Sequence, residues 1–198
     1  YGDPTSDTWQ TDTPNKIADG YLIYKQKAQY NIHYIDVNGV EGKTTYAPTD
    51  GKELNDHQVT GVGSEDKTYV GDTPDATQKL WSPADYERAG YVLVGLSDNA
   101  KDGQLGKQTL THGVQDQYVY LNHKAVEITS KTPNPPENSS VKPEDLTKSA
   151  DRIIHYVTEK DKTPLLDDTT QKITFEGTAY IDMVNGKNIQ TVEGTDAL

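Results

Sequence analysis

The 198-residue chain contains no cysteine, and that single absence removes disulfides, thiolate catalysis and cysteine-ligated zinc or iron–sulfur centres together. It leaves the compartment open, because cysteine count alone does not decide it. Arginine is nearly absent too. Only Arg88 and Arg152 accompany 17 lysines, against 31 acidic residues, for a formal net charge of -12. Nucleic-acid recognition favours a basic stripe and bidentate arginine contacts, so a nucleic-acid partner is not expected. Apolar residues make up only 32% of the chain, and no run approaches the roughly 18 consecutive ones that a membrane span requires. No basic start followed by an apolar stretch is present, so any signal peptide is expected to lie outside this sequence. With 16 glycines and 10 prolines, two small modules fit this composition better than one large core.

The apolar residues that are present cluster in short runs bounded by turn residues. Residues 30–37 (YNIHYIDV), 91–96 (YVLVGL), 117–121 (QYVYL), 152–158 (RIIHYVT), 171–175 (QKITF) and 178–184 (TAYIDMV) each read as strands. The first runs into Asn38-Gly39, a pair suited to a type I′ hairpin turn, and the last into Asn185-Gly186. One helix is signalled by Ser82-Pro83-Ala84-Asp85: a hydroxyl at the N-cap, proline at the first helical position and an acid where a capping box needs one. Gly90 then ends it in the left-handed conformation. A short helix over a curved β-sheet gives an α+β, β-rich fold. Residues 129–146 hold four of the ten prolines and only two large apolar residues, Val141 and Leu146, which reads as an extended spacer.

Two self-similarities organise these elements. Ile32-His33-Tyr34-Ile35 is repeated as Ile154-His155-Tyr156-Val157, and Trp9…Thr13-Pro14…Gly20-Tyr21 as Trp81-Ser82-Pro83…Gly90-Tyr91. Together they outline a module that opens on an IHY strand and closes on a Trp…Pro…Gly-Tyr element. The division that follows is a closing segment or lead-in over 1–29, a first module over 30–128, a proline-rich linker over 129–149, and the opening part of a second module over 150–198. The chain then reads as a window on a longer tandem array.

Residues 145–186 (DLTKSADRIIHYVTEKDKTPLLDDTTQKITFEGTAYIDMVNG) resemble the mucus-binding protein repeats of lactobacillus cell-surface adhesins. The shared features are the leucine-threonine lead, the I-H-Y-V strand, the Q-x-I-T-F strand and the V-x-G turn. Residues 30–123 resemble the companion first module through Gly90-Tyr91 and the segment 116–123. The sequence departs from the family at Glu176-Gly177, where arginine-threonine is common. The resemblance implies tandem ubiquitin-like β-grasp modules in an elongated, monomeric arrangement. It also implies an extracellular location on the wall of a Gram-positive bacterium and mucin glycoproteins as partners, with immunoglobulins as a second class. A structural stalk that only projects other domains is the alternative function.

Enzyme chemistry finds no support in the motifs: G-x-S-x-G, a P-loop, H-E-x-x-H and a dinucleotide fingerprint are all missing, and no catalytic residue is assigned. The histidines, His33, His57, His112, His123 and His155, have no spacing that gathers them. His33 and His155 alternate with Ile and Tyr and are expected to be partly buried, hydrogen-bonded strand residues. No cofactor is expected. Calcium is the one open candidate, at two oxygen-rich turns: Asp36 and Asn38, and Asp98, Asn99 and Asp102. Neither meets the EF-hand spacing, and solvated turns are the better reading. Tyrosine supplies 13 of the 16 aromatic residues; its flat face and hydroxyl suit both β-sheets and sugar or protein contacts, so the ligand-contacting residues stay undefined.

Overall fold

The computed structural model describes residues 25–64 and 68–189. The first Trp…Pro…Gly-Tyr element falls outside them. The chain divides into two compact units, Tyr1–Tyr86 with Val92–Asn122, and Glu87–Tyr91 with His123–Leu198. Strands dominate and one short α-helix is present among the described residues, which gives the β-rich α+β class expected.

Up to residue 123 the chain runs through β1 (Ala28–Asp36), β2 (Lys52–Glu53), β3 (Val59–Val62), α1 (Pro83–Arg88), β4 (Tyr91–Leu96) and β5 (Gly113–His123). The sheet order is β2-β1-β5-β4, with β3 also paired to β1. Its centre is a parallel ladder between β1 and β5, from Ala28↔Gly113 to Asp36↔Leu121. Strand alternation sends Tyr30, Ile32 and Tyr34 to one face together with Gln117, Val119 and Leu121, and all six are buried. Tyr30 is fully buried and donates its hydroxyl hydrogen towards the carbonyls of Gly106 (2.6 Å) and Pro74 (3.0 Å), so its polar tip is satisfied inside the core. Burial first, and the nearby Asp75 second, push that hydroxyl's pKa up to about 12. The opposite face bears Asn31, His33 and Ile35 beside Asp116, Tyr118 and Tyr120.

Local signals explain how these elements begin and end. Ser82 Oγ donates to Asp85 Oδ2 (2.6 Å) and accepts the Asp85 N–H (3.3 Å), which caps the first turn of α1 (Pro83–Arg88) as the sequence predicts. Gly90 ends the helix at φ +93°. The Asn38-Gly39 turn differs from expectation. Only Gly39 has a positive φ, +83°, so the turn is not type I′, which needs both central residues in that region. The Asn38 N–H bonds instead to Asp36 Oδ1 (2.9 Å), and β1 continues into a loop and two 3-10 turns rather than a tight hairpin.

The second unit holds β6 (Ala125–Thr129), β7 (Thr147–Val157), β8 (Pro164–Glu176), β9 (Thr178–Asp182) and β10 (Asn188–Ile189). β6, β9 and β10 form an antiparallel sheet ordered β10-β9-β6, while β7 and β8 form a two-stranded antiparallel ribbon. Ile128, Leu146, Ala179 and Ile181 make a small core with Val141 packed against it. The proline-rich residues 129–149 are thus placed within this unit. Val141 and Leu146, the two large apolar residues of that stretch, are the ones that anchor it.

Candidate functional site

Two clusters of side chains, one in each unit, concentrate the chemistry of the described residues. In the first unit the parallel register sets His33 beside Tyr118, whose rings stack at 5.0 Å. The row continues through Tyr120 (6.3 Å) to Tyr46 (5.7 Å), where Ile35, Val37 and Tyr120 form an apolar floor. Tyr46 lines an open cleft of about 490 Å³ with Gly42, Lys43, Thr44, Thr45, Ala47 and Asp50. Lys43 Nζ lies 2.5 Å from Asp50 Oδ1, and Asp50 Oδ2 accepts the Ala47 N–H at 2.7 Å. The Ala47 N–H and then Lys43 hold the Asp50 carboxyl below the usual carboxylate range. The cleft therefore offers an aromatic edge, two threonine hydroxyls, an ammonium and a carboxylate within one short loop.

At the other end of the aromatic row His33 is held between acids. Its Nδ1 meets Glu53 Oε1 from β2, and its Nε2 meets Asp116 Oδ1 from β5 at 2.9 Å. Asn31 Nδ2 donates to the same Asp116 oxygen (3.0 Å), and Gln58 Nε2 donates to Glu53 (2.5 Å). This network was not legible in the sequence, since Glu53 and Asp116 lie 20 and 83 residues from His33.

In the second unit Asp182 gathers donors from the turn that follows β9. It accepts the Val184 N–H (2.8 Å), the Asn185 N–H (3.3 Å) and Asn185 Nδ2 (2.7 Å), and it pairs with His123 Nδ1 (2.7 Å). Burial alone would raise its pKa, but the His123 and backbone bonds outweigh burial and leave it lowered. A carboxyl depressed in the folded state contributes stability above its unfolded pKa, and that contribution is lost as pH falls through the folded value. Acid titration followed by circular dichroism is therefore expected to destabilise the wild-type second unit below the ordinary carboxylate range. Asp182→Asn should be less stable at neutral pH and show a flatter acid limb.

The β7–β8 ribbon has two unlike faces. Cross-strand partners Lys148↔Phe175, Ala150↔Ile173, Arg152↔Gln171 and Ile154↔Thr169 share one side, and after a bulge Tyr156↔Leu166 rejoin it. The other side carries Thr147↔Glu176, Ser149↔Thr174, Asp151↔Lys172 and Ile153↔Thr170. Phe175 and Leu166 are 58% and 66% exposed, so the first side is an apolar stripe edged by two cations. His155 pairs with Asp168 (2.8 Å) but is 62% exposed, unlike the partly buried strand histidine expected, because no second layer covers this ribbon among the described residues.

The calcium candidates stay in their separate turns. Asp36 Oδ1 accepts the Asn38 N–H, Asp98 Oδ1 faces Lys101 Nζ (2.8 Å), and Asn99 Oδ1 accepts from Ser97 Oγ (2.7 Å). Asp102 adopts φ +52° in the same loop as Asp98. Among the described residues no group of three or more His, Cys, Asp or Glu is placed to hold a metal ion. Of the remaining histidines, His57 stacks on Trp81 (3.7 Å) and His112 is exposed.

Residues 141–196 match the family model of the Muc B2-like domain. This stretch is similar to Muc B2-like domains. The match upholds the resemblance to mucus-binding repeats drawn from the IHYV and QKITF strands, and it takes in the whole β7–β8 ribbon and the Asp182 turn. Among solved structures the chain is similar to the crystal structure of Mub-RV, at 22% identity and a TM-score of 0.46, over 85% of this chain and 74% of that one. It is also similar to the type 2 repeat of the mucus binding protein MUB from Lactobacillus reuteri, at 19% identity and a TM-score of 0.38, over 80% of this chain and 71% of that repeat. No curated protein matches the chain. No helix among the described residues is long and apolar enough to cross a membrane.

Proposed function

We propose that this chain is a non-enzymatic adhesin repeat of an extracellular bacterial surface protein, and that it binds the glycans of host mucus glycoproteins through ubiquitin-like β-grasp modules. The observation that supports this most directly is the match of residues 141–196 to the family model of the Muc B2-like domain. The cleft at Tyr46 suits the same role. Sugars present hydroxyl groups along an apolar ring face, and the cleft pairs an aromatic ring with Thr44, Thr45, Lys43 and Asp50. With a net charge of -12, recognition of sialylated or sulfated chains rests on such local contacts rather than on long-range attraction. A single site of this kind is weak, and tandem copies raise the apparent affinity through effective concentration.

The test is binding of the folded 198-residue chain to immobilised mucin before and after enzymatic removal of the glycans. Binding should be lost with the glycans, and Tyr46→Ala should weaken it while leaving the circular dichroism spectrum unchanged. Binding that survives deglycosylation would instead indicate a protein-binding module, and the absence of binding by tandem copies would indicate a stalk.

A further inference from the structure

The His33 cluster has a property that the glycan reading does not use. A neutral imidazole owns one N–H and can donate to one carboxylate; only the doubly protonated ring donates from both nitrogens. His33 faces a carboxylate at each nitrogen, Glu53 on β2 and Asp116 on β5. These two strands flank β1 on opposite sides. We propose that His33 is a pH-gated clamp on the centre of the first unit's sheet: as an imidazolium it ties β2 and β5 to β1 together, and as a neutral ring it releases one of them.

The strand released is β2. It is two residues long and meets β1 only at Ile35↔Glu53 and Asp36↔Lys52, whereas β5 is held by nine successive pairs. The other groups around the ring do not supply a competing charge switch. β5 adds Tyr118, stacked on the ring, whose hydroxyl burial and the two acids push upward in pKa. β3 (VTGV) and the first-unit residues of β4 (VLVGL) contain no acid or base. In the 3-10 turn Asn55–His57 that packs on β1, Asp56 is 84% exposed and lies 3.8 Å from His57.

Burial alone disfavours the charged ring, but its bonds to Glu53 and Asp116 outweigh that, so the pKa of His33 lies above its ordinary 6.5. Asp116 is shifted the opposite way, because its bonds from His33 and Asn31 outweigh its own burial. The signs then define a window. The contribution of His33 is complete below 6.5 and is lost as pH rises through the higher folded value. The contribution of Asp116 is lost only as pH falls through its lowered value. The clamp is closed between the two.

The second IHY copy provides an internal control. His155 makes the same kind of pair with Asp168, but with 62% and 52% of the two side chains exposed it is screened by solvent. The experiment is an NMR titration of the full chain, reading the His33 ring and the exchange protection of the Leu54 amide, which bonds to the Tyr34 carbonyl at 2.8 Å beside Glu53. The wild-type ring should titrate above 6.5, and Leu54 protection, corrected for intrinsic exchange, should drop severalfold at the same midpoint. His33→Gln should abolish that step and His155→Gln should retain it. A His33 midpoint at or below 6.5, or an unchanged step in His33→Gln, overturns the proposal. Should His33→Gln fail to fold, the wild-type titration decides alone: coincident midpoints support the clamp and separate midpoints refute it.

Discussion

Gly186→Ala is expected to destabilise the second unit by about 2–5 kcal/mol, read as a lower urea midpoint. Gly186 has a φ of +72°, and a Cβ built there would lie 1.8 Å from the carbonyl oxygen of Asn138. The close approach is structural: the Ser140 N–H bonds to the Gly186 carbonyl (2.7 Å), and the Gly186 N–H to the Asp182 carbonyl (2.8 Å). An added methyl therefore meets fixed backbone rather than a movable side chain. Gly39→Ala is the comparison, since φ there is +83° with no atom within 4 Å of the added carbon. It should show the conformational cost alone, about 1–2 kcal/mol. Equal losses in the two variants would mean that the contact with Asn138 is not maintained in solution.

Gln117→Leu should have an effect of similar size in the first unit. Gln117 has no exposed surface, yet its amide serves three backbone groups: Oε1 accepts the Gly106 N–H (3.1 Å), and Nε2 donates to the carbonyls of Asn99 (2.7 Å) and Gln104 (2.9 Å). Leucine fills the same space but removes this partner from the Gly106 N–H and the Asn99 carbonyl, at about 1–3 kcal/mol for each buried group left without one, while the Gln104 carbonyl keeps the Lys107 N–H (2.8 Å). Tyr30 also bonds to the Gly106 carbonyl, so the whole 99–106 loop depends on this core. Amide exchange of Gly106 should accelerate ahead of the strand amides. A variant as stable as wild type would show that water replaces the lost partners.

The sequence predicted strands wherever a run of β-branched and aromatic residues also had a turn at its end. β4 and the capped helix were legible for that reason, as were the positions of β1, β5, β7, β8 and β9. β2, β3 and β10 were not, because strands of two to four residues such as Lys52–Glu53 have no periodicity to read, and β6 (AVEIT) carries no aromatic residue. Pairing was less accessible still. Nothing local to Ile32 or Gln117 says that they lie side by side in a parallel ladder. The candidate site suffered most from this: His33 was singled out, but the acids that define its chemistry reach it only through tertiary pairing. Gln117 shows the same limit, since an interior glutamine looks like a surface residue until the loop it supports is seen. The IHY repeat was real as local structure and misleading as environment, giving a mostly buried ring in one copy and an exposed one in the other.

The parallel ladder at the centre of the first unit also constrains the order in which the chain can assemble. Asn31 and Asp116, adjacent across β1 and β5, are 85 residues apart in sequence. A polypeptide leaving the ribosome N-terminus first presents β1, β2 and β3 early, yet the buried row of Tyr30, Ile32 and Tyr34 lacks its main neighbour until residue 121 has emerged. Closing so long a loop is entropically costly before any contact offsets it, which makes this step slow beside hairpin formation. Chains halted anywhere between 64 and 113 should therefore remain protease-sensitive, with β1 awaiting the strand that completes it.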